Sequence, residues 1–529
     1  MLVLQWSDPF NGKDPTVRAC TASCSKAFRT LTFRLPSARS PSWVLAESAA
    51  AAVFSLVSML VIGRVIGPHA TGLGTVAIAA FLTVEVFGAV LFPDALVQLP
   101  GLSRRHRDVA VTASVLLGAA LGLGLAVAAP LLAAGADAPE VAWLVLALAP
   151  LVPLSAFSGT VSGLLLREQR FRLLSMRLLL GQPLALGVGL VLAARGHGPW
   201  AMVAAQAVAT AVAFVLMAWG ARHDRLRPRL DGGAMRDLWP VAGPQMAGVA
   251  VNVGRYRVFL LALGLVVPQA SLAVSHFAFR LLDAALGVVW QCAGRLAMPR
   301  LCALQRDREA MAEAYGDIAQ LQALLGLPVC AGIALVAPDL VAVLLGPAWA
   351  GTGEAARVVG VAAMTGVLHG DHSSLFVAAG KARRNFQVAV ALLVVPLAAL
   401  AAFRPETPLE ASYVWAVQCL VVPPVLAFLV LREVRRPIGW LVGKAAPAAV
   451  ATAAMVAAVL LLRNAVPMPP LPRLLASVSV GGATFLAVAW LALGRHLPRA
   501  LLPTAPPRPS APLRPSPRPR PAERLRSAG

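Results

Sequence analysis

A stretch of about 20 apolar residues is long enough to cross the hydrocarbon core of a bilayer as a helix. This chain repeats such stretches from residue 42 to residue 494. The length rule predicts about fourteen spans, at 42–63, 73–98, 109–134, 140–163, 173–194, 199–220, 239–266, 270–293, 318–345, 355–379, 387–403, 412–431, 441–462 and 474–494. Prolines inside them, such as Pro150, Pro183 and Pro423, are tolerated by membrane helices. Only 13% of the residues are charged and 58% are hydrophobic, whereas a soluble domain carries about 25% charged residues. Lipid must therefore solvate much of the surface. The fold class is all-α, a polytopic membrane protein.

The connectors test this count. The chain carries a formal net charge of +22, and its basic residues gather in every second connector. One set contains Arg104, Arg105 and Arg107; Arg167, Arg170 and Arg172; Arg222 to Arg236; Arg295 to Arg308; Lys381, Arg383 and Arg384; and Arg432, Arg435 and Arg436. With the two termini, that side holds 35 basic residues against five on the other, Arg64, Arg195, Arg404, Arg463 and Arg473. Positive-inside topology predicts this alternation. Both termini are expected in the cytoplasm of a cell whose inner membrane the chain crosses. The same pattern argues against a nucleic-acid partner, because the charge is divided among short loops instead of forming one patch.

Residues 1–41 are basic and polar, and we expect a disordered cytoplasmic arm there. Cys20 and Cys24 lie in this arm without a second pair or a nearby histidine, so no zinc site is expected. Residues 498–529 are rich in proline and arginine and are expected to form an extended cytoplasmic tail. The longest connector, 294–317, reads as an amphipathic surface helix or as a continuation of the eighth span. P-loop, HExxH and GxSxG patterns are all missing. No catalytic residue, cofactor or metal is expected, and the chain does not read as an enzyme.

Ionisable residues inside spans are costly and are usually kept for function. The seventh span carries Arg255 and Arg257 beside Asn252 and Tyr256, and the eighth carries His276, Arg280 and Asp283. Arg280 and Asp283 share a helix face and can neutralise each other. Neither Arg255 nor Arg257 has an acidic neighbour in its own span. They must face a cavity, a partner such as Glu85 or Asp283, or an anionic ligand. A guanidinium suits phosphate because its planar fork binds two oxygens at once. Glu85, in the middle of its span, and Asp283 are the candidate carboxylates for ion coupling. His369, Asp371 and His372 form a polar group whose readings are a metal site or a break in a discontinuous helix.

The order of short motifs resembles the polysaccharide flippase family of the multidrug/oligosaccharidyl-lipid/polysaccharide exporter superfamily. GRVIGPHATGLGTVAIA at 63–79 is similar to the family's turn after its first helix, and GLLLREQRFR at 163–172 to its connector between helices four and five. GHGPWAMVAAQ at 196–206, FRLLDAALGVV at 279–289, MPRLCALQRDREAMAEAY at 298–315 and APDLVAVLLGPAW at 337–349 continue the resemblance.

The resemblance implies two six-helix lobes, 42–237 and 238–435, around a central cavity that opens to alternate faces. Two accessory helices would follow within 436–497. It implies a substrate of undecaprenyl-pyrophosphate-linked oligosaccharide, moved for exopolysaccharide, capsule or O-antigen synthesis. Membrane lipids, a polysaccharide polymerase and glycosyltransferases would be its partners. The family's cationic cavity residues would be Arg255, Arg257, Arg280 and Arg64. In the seventh helix this chain reads NVGRYRVFLLALG where relatives have an acidic-basic pair, which leaves the partner of Arg255 open. Two other readings share the topology: a drug or metabolite cation antiporter of the same fold, and a membrane scaffold or glycosyltransferase of polysaccharide assembly.

Overall fold

In lipid a helix satisfies its own backbone hydrogen bonds, whereas an open strand does not. The computed structural model describes residues 42–222, 226–494 and 496, and among these there are helices and turns but no strand. The arm and the tail expected at the termini lie outside the described residues. In chain order the helices are α1 Ser42–Val90, α2 Pro93–Gln98, α3 Arg104–Gly135, α4 Glu140–Leu148, α5 Leu151–Arg167, α6 Phe171–Ala194, α7 Trp200–Ala221 and α8 Gly232–Gly264. They continue with α9 Gln269–Ala303, α10 Arg308–Leu344, α11 Ala350–Ala363, α12 His372–Ala378, α13 Ala382–Phe403, α14 Pro408–Val434, α15 Ile438–Ala465 and α16 Pro470–Ala492.

Twelve helical stretches among the described residues are long and apolar enough to cross a membrane. The difference from fourteen lies at two places. α1 contains two of the expected spans, parted at Gly67, whose φ of 81° and ψ of 171° are non-helical. Such angles are essentially reserved for glycine, and Pro68 follows. The span expected at 355–379 is broken instead of continuous. α11 ends at Ala363, a 3-10 turn covers Met364–Val367, and α12 starts only at His372. The connector expected at 294–317 is not a separate surface helix. It is the end of α9 and the start of α10, joined by a short turn in which Asp307 caps α10 through the amides of Glu309 and Ala310.

Two groups of helices pack internally. α1 and α3 to α7 form one, and α9 to α14 form the other. Small residues set the close approaches, as expected where lipid supplies no hydrophobic drive between helices. α8 packs along α1 and touches α13. Near the neutral connectors the two groups meet tightly. A Cβ added at Gly72 of α1 would lie 1.9 Å from the carbonyl oxygen of Gln269 on α9, so only glycine permits this contact.

α15 and α16 pack on α10 and are fastened there at both ends. Lys444 Nζ donates to Asp317 at 2.7 Å, and Arg436 lies 3.2 Å from both Glu309 and Glu313. At the other end Arg463 and Arg473 both pair with Asp339, which is only 3% exposed.

Candidate functional site

The in-span charges of α8 and α9 converge on two cavities. The larger, about 710 Å³, is lined by Asn252, Arg255, Asp283, Trp290, His372, Asn385, Trp415 and Gln418 among others. The smaller, about 400 Å³, is lined by α1, α6 and α7 residues such as Ser58, Thr75, Gln182 and Met202, and by His276 of α9. Tyr256, Arg257 and Arg280 line both, so they form the partition. The larger cavity reaches toward the basic connectors, since Asn385 stands beside Arg383 and Arg384. The smaller reaches toward the neutral ones, through Gly63 and Thr71.

The partition is held by specific bonds. The Tyr256 hydroxyl and His276 Nδ1 are 2.9 Å apart. Trp415 packs behind Tyr256 with ring centroids 5.9 Å apart, and stands 5.1 Å from Phe259 and 5.2 Å from Phe279. Arg257 donates to the Leu82 carbonyl at 2.8 Å and to Glu85 at 3.4 Å, and the Ser155 hydroxyl donates to the same carboxylate. Arg280 donates to Asp283 at 3.3 Å.

These contacts separate the expected site residues. Arg257 is not an unpaired guanidinium: Glu85, brought across from α1, accepts from it. Arg280 and Asp283 pair within α9. Arg255 is the different one. It lines the larger cavity and makes no hydrogen bond or ion pair with a described residue. Arg64 is not brought to the lining of either large cavity. It donates to the Leu344 carbonyl at 3.0 Å and so joins α1 to the end of α10. Glu85 also stands outside the cavity linings, behind Arg257.

The group at His369, Asp371 and His372 follows the helix break. Asp371 caps α12, accepting from the Ser374 amide at 3.3 Å and the Ser374 hydroxyl at 2.5 Å. Tyr315 donates to the His369 carbonyl. Among the described residues no group of three or more His, Cys, Asp or Glu is placed to hold a metal ion. Irregular backbone at membrane depth is tolerated where it lines a cavity, and His369, His372 and Ser373 line the larger one.

Sequence reasoning missed Trp415, Gln418 and Trp290. Trp415 stands near the start of its span, where tryptophan is usual, so no sequence signal set it apart. The lining carries three guanidiniums, Arg255, Arg257 and Arg280, and one carboxylate, Asp283. Such a wall favours an anion over a cation.

Residues 61–353 match the family model described as polysaccharide biosynthesis protein. Among curated proteins, the succinoglycan biosynthesis transport protein ExoT of Rhizobium meliloti (strain 1021) is 24% identical over 327 residues, covering 59% of this chain and 63% of that protein. The chain thus spans less than two thirds of that relative's length. The teichuronic acid biosynthesis protein TuaB of Bacillus subtilis (strain 168) is 20% identical over 333 residues, covering 62% of this chain and 69% of that protein. Among solved structures, lipid II flippase MurJ in an inward closed conformation gives a TM-score of 0.68 at 11% identity, over 84% of this chain and 98% of that one. A multidrug resistance MATE family transporter of the MOP superfamily, in an inward-facing conformation, gives 0.59 at 17% identity, over 73% of this chain and 94% of that one. Both are likenesses of fold.

Proposed function

This chain belongs to the polysaccharide biosynthesis protein family, and on that premise we propose that it moves an undecaprenyl-pyrophosphate-linked oligosaccharide across the bacterial inner membrane by alternating access. The observation that carries this reading is Arg255. A guanidinium at membrane depth with no hydrogen bond or close ion pair to a described residue, facing a cavity of about 710 Å³, is costly unless a ligand or water meets it. A pyrophosphate meets it with paired oxygens. Arg257 and Arg280 add charge beside it, each already steadied by a carboxylate.

In this reading the lobes are 42–237 and 238–435, with 436–497 as accessory helices riding on α10. They rock about the partition, so that the larger cavity, on the side of the basic connectors, receives the headgroup from the cytoplasmic leaflet. The tight contact of Gly72 with Gln269 closes the opposite face. Family relatives named for succinoglycan transport and teichuronic acid biosynthesis agree with a polysaccharide role. A cation antiporter is disfavoured by the lining, whose carboxylate Asp283 already faces Arg280. The test is replacement of Arg255 by alanine. Surface polysaccharide should fall while the amount of protein in the membrane holds; unchanged polysaccharide would contradict the reading.

A further inference from the structure

The larger cavity presents more hydrogen-bonding groups than its own walls use. Gln418 Oε1 is buried and has no partner among the described residues. The side chains of Asn385, Ser373 and His372 line the same space and make no hydrogen bond with a described residue. Asn252 gives one amide hydrogen to the Gly248 carbonyl at 2.9 Å and keeps its oxygen and the second hydrogen free for another partner. Polar groups away from bulk water are normally paired, and within a bilayer the cost of leaving one unpaired is larger. Here the uncommitted groups come from four helices, α8, α12, α13 and α14, and face one space.

Two indoles stand among them. Trp415 backs the partition, and Trp290, 39% exposed, lies toward the basic connectors. A flat aromatic face beside planar amides is the complement of a pyranose ring, which has C–H faces and a rim of hydroxyls. The volume of about 710 Å³ also falls within the range of about 300–1,000 Å³ usual for small-molecule sites. The smaller cavity differs, although Ser58 and Gln182 on its wall also make no side-chain hydrogen bond with a described residue. Thr71 and Thr75 commit their hydroxyl hydrogens to their own helix at 2.7 Å, Gln206 donates to Thr210, and no indole lines the space.

We propose that the larger cavity is the saccharide subsite. Its wall at Arg255, Arg257 and Arg280 holds the pyrophosphate, while Gln418, Asn385 and His372 bind sugar hydroxyls against the Trp415 face. The two cavities therefore have different roles, and the residues that set sugar selectivity lie on α12, α13 and α14. This rests on the reading above that the substrate is a pyrophosphate-linked saccharide.

The experiment uses the purified full chain in lipid nanodiscs and two probes, undecaprenyl pyrophosphate alone and undecaprenyl pyrophosphate bearing one hexose. Affinities are read by native mass spectrometry. The wild type is expected to bind the hexose probe several-fold more tightly than the bare one. The Gln418→Leu/Asn385→Leu double variant is expected to bind the two equally, and Asn385→Leu alone, at the cavity edge, to show an intermediate ratio. Arg255→Ala is expected to weaken both probes at least tenfold. A wild-type ratio that survives in both leucine variants, or a wild type that binds the probes equally, overturns the subsite while leaving the Arg255 reading standing. Unchanged binding of both probes to Arg255→Ala overturns that reading and the subsite with it.

Discussion

Arg257 on α8 lies 3.4 Å from Glu85 on α1, so the two arginines that stand two residues apart in the seventh span do different work. Arg257 ties α8 to α1 and forms part of the wall between the cavities. Arg255 has no such tie to a described residue and faces the cavity.

The pairing predicts non-additive mutations. Arg257→Ala leaves Glu85, whose side chain is 19% exposed, with Ser155 as its remaining partner among the described residues. We expect a loss of about 2 kcal/mol in stability. Glu85→Gln removes the stranded charge, so the double variant should recover part of that loss. Thermal unfolding of the four proteins in detergent gives the cycle directly. Additive losses would show that the two side chains do not interact.

A second prediction concerns the strap before α8. Asp231 accepts from the amides of Gly233 and Ala234 and pairs with Arg105 of α3, while the backbone amides of Arg227 and Arg229 donate to Asp108 and Thr112 of that helix. The Arg105 guanidinium holds the Asp231 carboxyl down to about 2. A depressed carboxyl stabilises the fold above its unfolded value, near about 3.9, and that stabilisation is lost as pH falls through the folded one. An asparagine in its place would still cap the helix, so Asp231→Asn isolates the ion pair. The Tm difference between wild type and Asp231→Asn should be constant above pH about 5 and shrink as pH falls from about 4 toward 2. A difference that does not change with pH would remove the ion pair from the account.

The charge alternation predicts sides that can be read with reporters. A fusion at residue 384, beside Lys381, Arg383 and Arg384, should report cytoplasm, and one at residue 407, after Phe403, should report periplasm. The reverse result would invert the direction assigned to the larger cavity.

Most of the helical architecture was legible because hydropathy and loop charge are local properties of a sequence in lipid. The two departures were local in a different way. Gly67 allowed a backbone break with almost no unstructured residues, so two spans merged into one helical stretch. Around 364–371 the polar group His369, Asp371 and His372 carried the reading of a break that the structure shows, while the apolar length around it still counted as one span. The site was legible only in part. Arg255, Arg257 and Arg280 were visible because charge within a span is rare. Their different roles were not, because the deciding partner, Glu85, stands 172 residues from Arg257. Arg64 was carried over by motif, yet its contact is the carbonyl of Leu344, 280 residues away. The uncommitted amides of Asn385 and Gln418 are ordinary residues in sequence, and only their shared cavity distinguishes them.

The central claim is that Arg255 holds the anionic group of a transported lipid. Its most direct test is translocation in proteoliposomes, with a fluorescent undecaprenyl-pyrophosphate-linked saccharide placed in one leaflet and its appearance in the other followed by quenching. The account predicts that wild type moves the probe, that Arg255→Ala slows it at least tenfold at equal reconstituted protein, and that Arg255→Lys, which keeps the charge but loses the planar fork, falls between them. Equal rates for wild type and Arg255→Ala would contradict it.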